Sequence, residues 1–368
     1  MAARRNSEPR RRAPYATSKV ADVRRFIERG RTAEQTGQAR EALVWYDRAL
    51  ASLPSNVPTA DQADVLRWQG TVHREWGNTN EADRLYVRSA DVARAAGYAV
   101  GLAHAANCRG IIAQLRGNLG QAEALYREAE ALARDAGDTR LDAMIERNLG
   151  TLSSIRGEYE QALLQFRVSL RKAEQVNDED GQCRALNNIA MVYAQRRQYP
   201  EANSAYTLVL HLAQSRGDQL VECVCRINRS EVLIADERLD DAETDCLAAL
   251  AIADRRGDRV RRAEALRMLA AIARERRRPD EAERLLDEAL TLVDSEDDAL
   301  LIAELRRALA EVYSERNLSN RAVEQLHEAR ELFRQLGAPS SVANIDKLLS
   351  RMVGVGPGST VSTSAPPV

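Results

Sequence analysis

Aromatic residues are scarce in this sequence. Only 4% of its 368 residues are Phe, Trp or Tyr, whereas 29% carry a charge. Alanine, leucine, glutamate and arginine are abundant instead, and this is the composition of long helices. The sequence therefore predicts an all-helical protein rather than a sheet protein.

Long apolar segments are also missing. No apolar run approaches the roughly 18 residues that a membrane-spanning helix needs. The charged N-terminus, Met-Ala-Ala-Arg-Arg-Asn-Ser, is not followed by the apolar region of a secretory signal. We therefore expect no membrane contact and a cytoplasmic location.

The sequence lacks the motifs of common enzymes and metal sites. Its 4 histidines are scattered, and it contains no His-Glu-x-x-His, no paired Cys-x-x-Cys and no glycine-rich phosphate loop. We expect no catalysis, no cofactor and no bound metal.

The cysteines number five and lie within helical patterns, so a disulfide framework is not expected. Cys223 and Cys225 are two residues apart on one helix, a poor spacing for a metal or redox pair. We predict that all five are small buried hydrophobic residues: Cys108, Cys183, Cys223, Cys225 and Cys246.

Neither sign of charge is in excess. The sequence has 53 Lys plus Arg against 55 Asp plus Glu, a net charge of -2, so no overall field favours nucleic acid or an anionic membrane. A polyanion would need a local patch. The one candidate is residues 1–19, which contain Arg4, Arg5 and three further arginines around Pro9 and Pro14.

A period of 40 residues runs through the chain. One column of this repeat is alanine eight times: Ala42, Ala82, Ala122, Ala162, Ala202, Ala242, Ala282 and Ala322. Four residues later the column is large and apolar almost throughout: Tyr46, Tyr86, Tyr126, Phe166, Tyr206, Cys246, Leu286 and Leu326. Twelve residues before the alanines the column is small: Gly30, Gly70, Gly110, Gly150, Ala190, Ser230, Ala270 and Ala310. Small positions let a second helix approach closely, so each repeat should contain two helices in contact.

Helix ends repeat as well. Residues that tolerate a left-handed backbone recur near the predicted ends of the first helices (37, 77, 117, 157) and of the second helices (97, 137, 177, 217, 257, 297, 337). We predict helices at about 22–36 and 39–52, recurring every 40 residues to about 336.

The domain organisation follows from these patterns. Residues 1–19 should be a disordered basic arm and residues 353–368 a Gly/Ser/Thr/Pro tail. Residues 20–340 contain eight repeats. The apolar stripe of residues 341–352 predicts a capping helix at the end of the array.

The order of small residue, Ala, Tyr or Phe, then Ala or Ser resembles the tetratricopeptide repeat, over residues 20–340. The 40-residue period is similar to the longer variety of kinesin light chains and bacterial regulatory proteins. The resemblance implies a right-handed superhelical solenoid of eight helix-turn-helix repeats, in which the first helices line a concave wall. It also implies that asparagines on this wall can hold an extended peptide by its main chain.

The candidate site is the inward stripe of the first helices. It contains an asparagine ladder, Asn148, Asn188 and Asn228, whose amides could donate to and accept from a peptide backbone. Five arginines flank the ladder and could recognise carboxylates of a partner: Arg67, Arg147, Arg184, Arg267 and Arg307. The acidic Glu231 could contribute to side-chain recognition. Apolar residues would add groove surface: Trp68, Ile111, Met144 and Met191, together with Leu115 and Ile155.

Each group has a structural alternative. The asparagines could bond to neighbouring helices or face water, the arginines could be solvated surface charges, and the apolar residues could pack between adjacent first helices. The main functional hypothesis is a scaffold or adaptor that binds a peptide or helix of a partner protein. The alternative is a regulatory sensor that binds a short peptide or small ligand and controls an effector or transcription. A third hypothesis is nucleic-acid binding through the basic arm.

Overall fold

The computed structural model of the chain describes residues 14–36, 38–54, 57–293, 298–336 and 338–353. These residues form seventeen α-helices and no strand, which confirms the all-helical prediction. None of these helices combines the length and apolar character that a membrane crossing requires. The chain falls into two compact units, residues 1–188 and 189–368.

Unit 1 contains four helical hairpins. Their helices are α1 Pro14–Gln35, α2 Ala39–Ser52, α3 Ala60–Glu75, α4 Thr79–Ala95, α5 Ala99–Leu115, α6 Leu119–Asp135, α7 Thr139–Ile155 and α8 Tyr159–Gln175. The helices of each hairpin pack on each other, and α2, α4 and α6 each pack on the first helix of the following hairpin. The next helix, α9 Glu179–Gln195, contains the boundary between the units.

Unit 2 continues the pattern and ends in a single helix. Its helices are α10 Tyr199–Ser215, α11 Gln219–Ala235, α12 Leu239–Arg256, α13 Arg259–Glu275, α14 Pro279–Leu292, α15 Ala299–Glu315, α16 Ser319–Gln335 and α17 Pro339–Val353. The last of these, α17, packs on α16. Its Ile345 and Leu349 are buried in the same core as Phe333, as a capping helix requires.

The first helix is longer than predicted. It begins at Pro14, whereas the sequence placed the helix start near 22 and disorder through 19. Proline suits the first turn of a helix, because its fixed φ is helical and its missing N–H has no intrahelical partner there. Residues 1–13 and 354–368, which hold the rest of the predicted arm and tail, lie outside the described residues.

The alanine column is the centre of every hairpin. All eight alanines have no solvent-accessible surface, and the large residues four positions later are at most 2% exposed. These residues fill the space between the two helices of a hairpin. The repeat in the sequence is therefore a repeat of core contacts.

The helix ends adopt the predicted backbone. Seven of the predicted glycines, from Gly77 to Gly257, have φ between 64° and 78°. The series continues in residues other than glycine: Asn177, Arg197, Glu237, Arg277 and Asn317 have φ between 52° and 60°. Gly37, Asp297 and Gly337 lie outside the described residues.

All five cysteines are buried, as predicted. The Cys223 thiol donates to the carbonyl of Ala249 and the Cys225 thiol to that of Tyr206, each at 3.4 Å. Burial raises the pKa of the Cys223 thiol to about 11. These cysteines therefore serve as core residues.

A cluster of buried charges lies between α6, α7 and α8. We call Glu130, Asp142, Glu146 and Lys172 the buried ionic cluster. The carboxylate oxygens of its three acidic residues lie within 4.8 Å of one another. Lys172 Nζ lies 2.7 Å from Asp142 Oδ2 and 3.3 Å from Glu146 Oε1, and Arg134 pairs with Glu130.

This cluster replaces an apolar contact. Other repeats mostly place apolar residues at three of its four columns, such as Leu210 for Glu130, Leu186 for Glu146 and Leu132 for Lys172, whereas the Asp142 column is mostly polar. Burial raises the pKa of the Glu146 carboxyl, Lys172 opposes that shift, and neighbouring Glu130 adds to it. The junction between the third and fourth hairpins is therefore held partly by charge.

Candidate ligand-binding cavity

Unit 1 contains a cavity of about 400 Å³, which we call the arginine cavity. It is lined by Arg31, His104, Asp138, Arg140, Leu141, Ala143, Met144, Arg147, Ser169, Asp178, Asp180, Gly181 and Arg184. Three of these, Met144, Arg147 and Arg184, belong to the site predicted from the sequence. The structure therefore brings a part of the predicted set together.

The repeat explains why these side chains meet. His104, Met144 and Arg184 occupy one column of the repeat, 40 residues apart, on α5, α7 and α9. Arg147 lies three residues after Met144 and so shares its face of α7. Equivalent positions on successive first helices thus line one wall of the cavity.

Arg147 is half-buried beside a second arginine. Burial lowers the pKa of its guanidinium to about 10, and the positive charge of Arg184 lowers it further, against opposing effects of Asp178 and Tyr126. Within the described residues, neither Arg147 nor Arg184 has a carboxylate within 4.0 Å. Arg140 is the arginine that reaches Asp178, at 3.5 Å.

His104 is neutral at pH 7. Burial lowers its pKa to about 4, and the charge of Arg67 contributes in the same direction, whereas Asp64 and Asp138 oppose it. The imidazole therefore adds no charge to the cavity at neutral pH. It can donate one hydrogen bond and accept one.

Trp68 has structural contacts on its ring. It is half-buried and stacks on Tyr46, with ring centroids 5.9 Å apart. The guanidinium carbons of Arg31 and Arg67 lie 5.1 and 5.3 Å from its ring centroid. Ile111 is likewise half-buried and packs against the core of the third hairpin. Both residues match the packing alternative that the sequence left open.

The asparagines are half-buried. The Asn148 amide donates from Nδ2 to Oδ1 of Asn107, at 2.8 Å, and so joins α7 to α5. This hydrogen bond to a neighbouring helix uses one of the donors that the Asn148 amide was expected to offer a ligand. Asn188 lies in unit 1 and Asn228 in unit 2, and the ladder stays a prediction.

Three of the predicted apolar residues are exposed. Leu115 is 60% and Ile155 53% accessible, at the ends of α5 and α7, and Met191 is 46% accessible. Met144 is half-buried at the wall of the arginine cavity.

Unit 2 has a cavity of its own, of about 340 Å³, lined partly by Glu231. Its arginines have carboxylate partners: Arg267 reaches Glu304 at 3.3 Å, Arg307 reaches Glu311 at 2.5 Å, and Arg274 reaches Glu315 at 3.2 Å. The three arginines of this cavity are already paired, in contrast to Arg147 and Arg184 of unit 1.

Sequence reasoning missed the acidic side of the arginine cavity. Asp138 precedes α7 and accepts a hydrogen bond from the Leu141 amide at 2.9 Å, as an N-cap residue does. The same column contains Asp178, Asp218, Asp258 and Asp298. This column of helix caps was the signal that could have located the acidic residues. Arg31 lies on α1, and no periodic pattern in the sequence indicates that it lines this cavity.

Two family models of the tetratricopeptide repeat match the sequence, one at residues 183–214 and the other at 223–295 and 261–335. No curated protein matches the sequence significantly.

Several solved structures share the fold. The apo form of the quorum sensor NprR from B. thuringiensis is 13% identical, with a TM-score of 0.55 over 90% of this chain and 99% of that one. A Rap protein complexed with competence and sporulation factor is 15% identical, with a TM-score of 0.56 over 92% and 98%. The Rap conjugation gene regulator of plasmid pLS20, in complex with a Phr peptide, is 16% identical, with a TM-score of 0.51 over 90% and 79%. These likenesses concern the fold. The family matches identify tetratricopeptide repeats within residues 183–214 and 223–335, which contain the same repeated hairpins as the rest of the described chain.

Proposed function

We propose that the chain binds a peptide, or a peptide segment of a partner protein, through the arginine cavity of unit 1. It acts in the cytoplasm by holding this partner and not by catalysing a reaction. Asn148 and Asn188, which lie in the same unit, stay part of the proposal.

One observation carries the proposal. Met144, Arg147 and Arg184, predicted as site residues from the sequence, line one cavity of about 400 Å³. This volume falls in the range of about 300–1,000 Å³ that is usual for ligand sites. Arginines without a carboxylate partner and an apolar methionine together suit a peptide, which offers both polar and apolar groups.

The solved structures support a peptide as the ligand. One similar Rap protein is complexed with competence and sporulation factor, and a second Rap regulator is in complex with a Phr peptide. Repeat arrays of this kind commonly bind along the surface that successive repeats build.

A library of random seven-residue peptides tests the proposal. The full chain is immobilised and the retained peptides are counted by mass spectrometry. Met144→Trp should obstruct part of the cavity and reduce retention. Arg94 lies on a second helix, paired with Asp91 at 2.9 Å, so Arg94→Gln is the control and should leave retention unchanged.

Melting curves followed by circular dichroism show whether both variants remain folded. Equal retention by the wild type and a folded Met144→Trp variant would remove the cavity as the site. Retention of no peptide by the wild type would remove peptide binding itself.

A regulatory sensor is the second candidate. The similar structures include a quorum sensor and a conjugation gene regulator, which favours a peptide signal over a large partner. A sensor should be stabilised against heating by retained peptides while capturing no protein. An adaptor should also capture the protein that contains the peptide sequence.

A further inference from the structure

One pair of arginines in the arginine cavity departs from the pattern of the repeat. Arg147 and Arg184 are 37 residues apart, on the first helices of adjacent hairpins. In unit 2 the equivalent pair is Arg267 and Glu304, also 37 residues apart, and it forms an ion pair at 3.3 Å. A second arginine therefore occupies the position where unit 2 places a carboxylate.

The other arginines of this column confirm the contrast. Arg67 pairs with Asp64 at 2.9 Å, three residues earlier on α3, and Arg307 pairs with Glu311 at 2.5 Å, four residues later on α15. For Arg147, the residue three positions earlier is Met144 and the residue four positions later is Thr151. Its own helix thus supplies no carboxylate at either position.

The free protein is left with an electrostatic cost. Arg147 is half-buried and Arg184 is exposed, and both line the cavity. Their mutual repulsion is screened less there than between two fully solvated charges. Burial is the main cause of the depressed pKa of Arg147, about 10, and the charge of Arg184 lowers it further. A bound anion would relieve this repulsion, because each guanidinium could then donate charge-assisted hydrogen bonds.

The charges of the cavity favour a single negative charge. Its lining contains four arginines and three aspartates, so the net charge is one positive. The aspartates would repel a doubly charged phosphate, whereas one carboxylate would neutralise the site.

We propose that the arginine cavity binds a carboxylate between Arg147 and Arg184, so that the ligand is an acidic peptide. The carboxylate comes from an Asp or Glu side chain or from the C-terminus of the peptide. This inference rests on the proposed peptide binding and names its ligand class.

The experiment uses the random seven-residue library in two forms. In the first, both termini are blocked by acetylation and amidation, so Asp and Glu carry all carboxylates. In the second, the C-terminus is free. Retention is compared among the wild type, Arg147→Gln, Arg184→Gln and the control Arg94→Gln.

For the wild type, we expect peptides with a carboxylate to be enriched about tenfold over peptides with an amide at the same position. This ratio is typical of one lost charge-assisted contact. Enrichment in the blocked library indicates a side-chain carboxylate, and enrichment only in the free library indicates the C-terminus. Each cavity variant should lose the preference and still retain neutral peptides. The control should keep the preference.

The free variants provide a second measurement. If repulsion between Arg147 and Arg184 destabilises the free protein, then Arg184→Gln should melt at a higher temperature than the wild type, although it binds acidic peptides less. A purely structural arginine would show a lower melting temperature instead.

The outcomes separate the two levels of the proposal. If no peptide is retained, the proposed function is wrong. If peptides are retained without an acidic preference, or if the folded variants keep that preference, peptide binding stands and the carboxylate site is wrong.

Discussion

The ring of Tyr126 lies directly against the backbone of Gly110, because a Cβ on this glycine would be 2.5 Å from the Tyr126 Cε1 atom. The same relationship recurs between Gly30 and Tyr46, Gly70 and Tyr86, and Gly150 and Phe166. In three later hairpins the ring is absent and the glycine is replaced: Ser230 with Cys246, Ala270 with Leu286, and Ala310 with Leu326. The two columns therefore vary together in volume in seven of the eight hairpins; the exception is the fifth, which combines Ala190 with Tyr206.

Gly110→Ala should destabilise the protein by about 1–3 kcal/mol, because the added methyl group must displace a buried ring. The double variant Gly110→Ala/Tyr126→Leu should lose less stability than the sum of the two single variants, since it recreates the Ala and Leu pair of the seventh hairpin. Urea unfolding of all three variants measures this coupling.

Gly120 provides the control for this prediction. It lies in α6, and a methyl group added there would meet no atom of a neighbouring residue within 4 Å. Gly120→Ala should therefore be neutral or stabilising by up to about 1 kcal/mol. Strict additivity of the Gly110→Ala and Tyr126→Leu changes would mean that these two residues are not in contact.

Arg277→Gly should stabilise the protein. Arg277 has a φ of 58°, and the left-handed conformation costs a residue with a Cβ about 1–2 kcal/mol. Glycine removes this strain but loses more backbone entropy on folding, so we expect a net gain of about 0.5–1 kcal/mol. The opposite change, Gly77→Ala at a φ of 77°, should destabilise by a similar amount. Melting temperatures that move in the same direction for both variants would contradict this account.

The buried ionic cluster should be more costly to break than to replace. Lys172→Leu leaves Asp142 and Glu146 without their nearest cation and should destabilise by about 3–5 kcal/mol. Replacing all four residues by leucine removes the charges together and should be neutral or stabilising by about 1–4 kcal/mol. Chemical unfolding of both variants checks this. A quadruple variant less stable than Lys172→Leu would show that the charges are needed as a set.

His104 should make the protein less stable in acid. Its pKa is lowered from 6.5 to about 4 in the folded state, so between these values the unfolded state binds more protons. Stability from the neutral imidazole is therefore complete above about pH 6.5 and is lost as the pH falls toward 4. In His104→Gln, the loss of stability between pH 6.5 and 4 should be smaller by roughly 2–3 kcal/mol. Identical pH profiles would mean that His104 is protonated in the folded protein.

Periodicity predicted the fold well because one contact recurs. The alanine column, the large residue after it and the residues at the helix ends located both helices of each hairpin to within a few residues. The start of α1 was missed, because residues 1–19 were predicted to be disordered, whereas Pro14 is a favourable first residue of a helix.

The candidate site was predicted only in part. The 40-residue period correctly placed Met144 and Arg184 at one site. It could not show that Arg67 has a carboxylate partner whereas Arg147 has none among the described residues. Both lie in the same column, and only the residues one turn away and one repeat away decide whether a carboxylate is near. For Trp68, a stripe position did not reveal that its ring stacks on Tyr46 in the preceding hairpin.

Whether a contact lies within one hairpin or between two hairpins determines which repeats can be gained or lost singly during evolution. Gly110 and Tyr126 lie on α5 and α6 of one hairpin, so a duplicated or deleted repeat takes both partners with it. The buried ionic cluster joins Glu130 of the third hairpin to Lys172 of the fourth, and an insertion between these two hairpins separates its charges. We therefore expect this junction to be kept only as a block of two repeats, while the contacts inside a hairpin allow single repeats to be gained or lost.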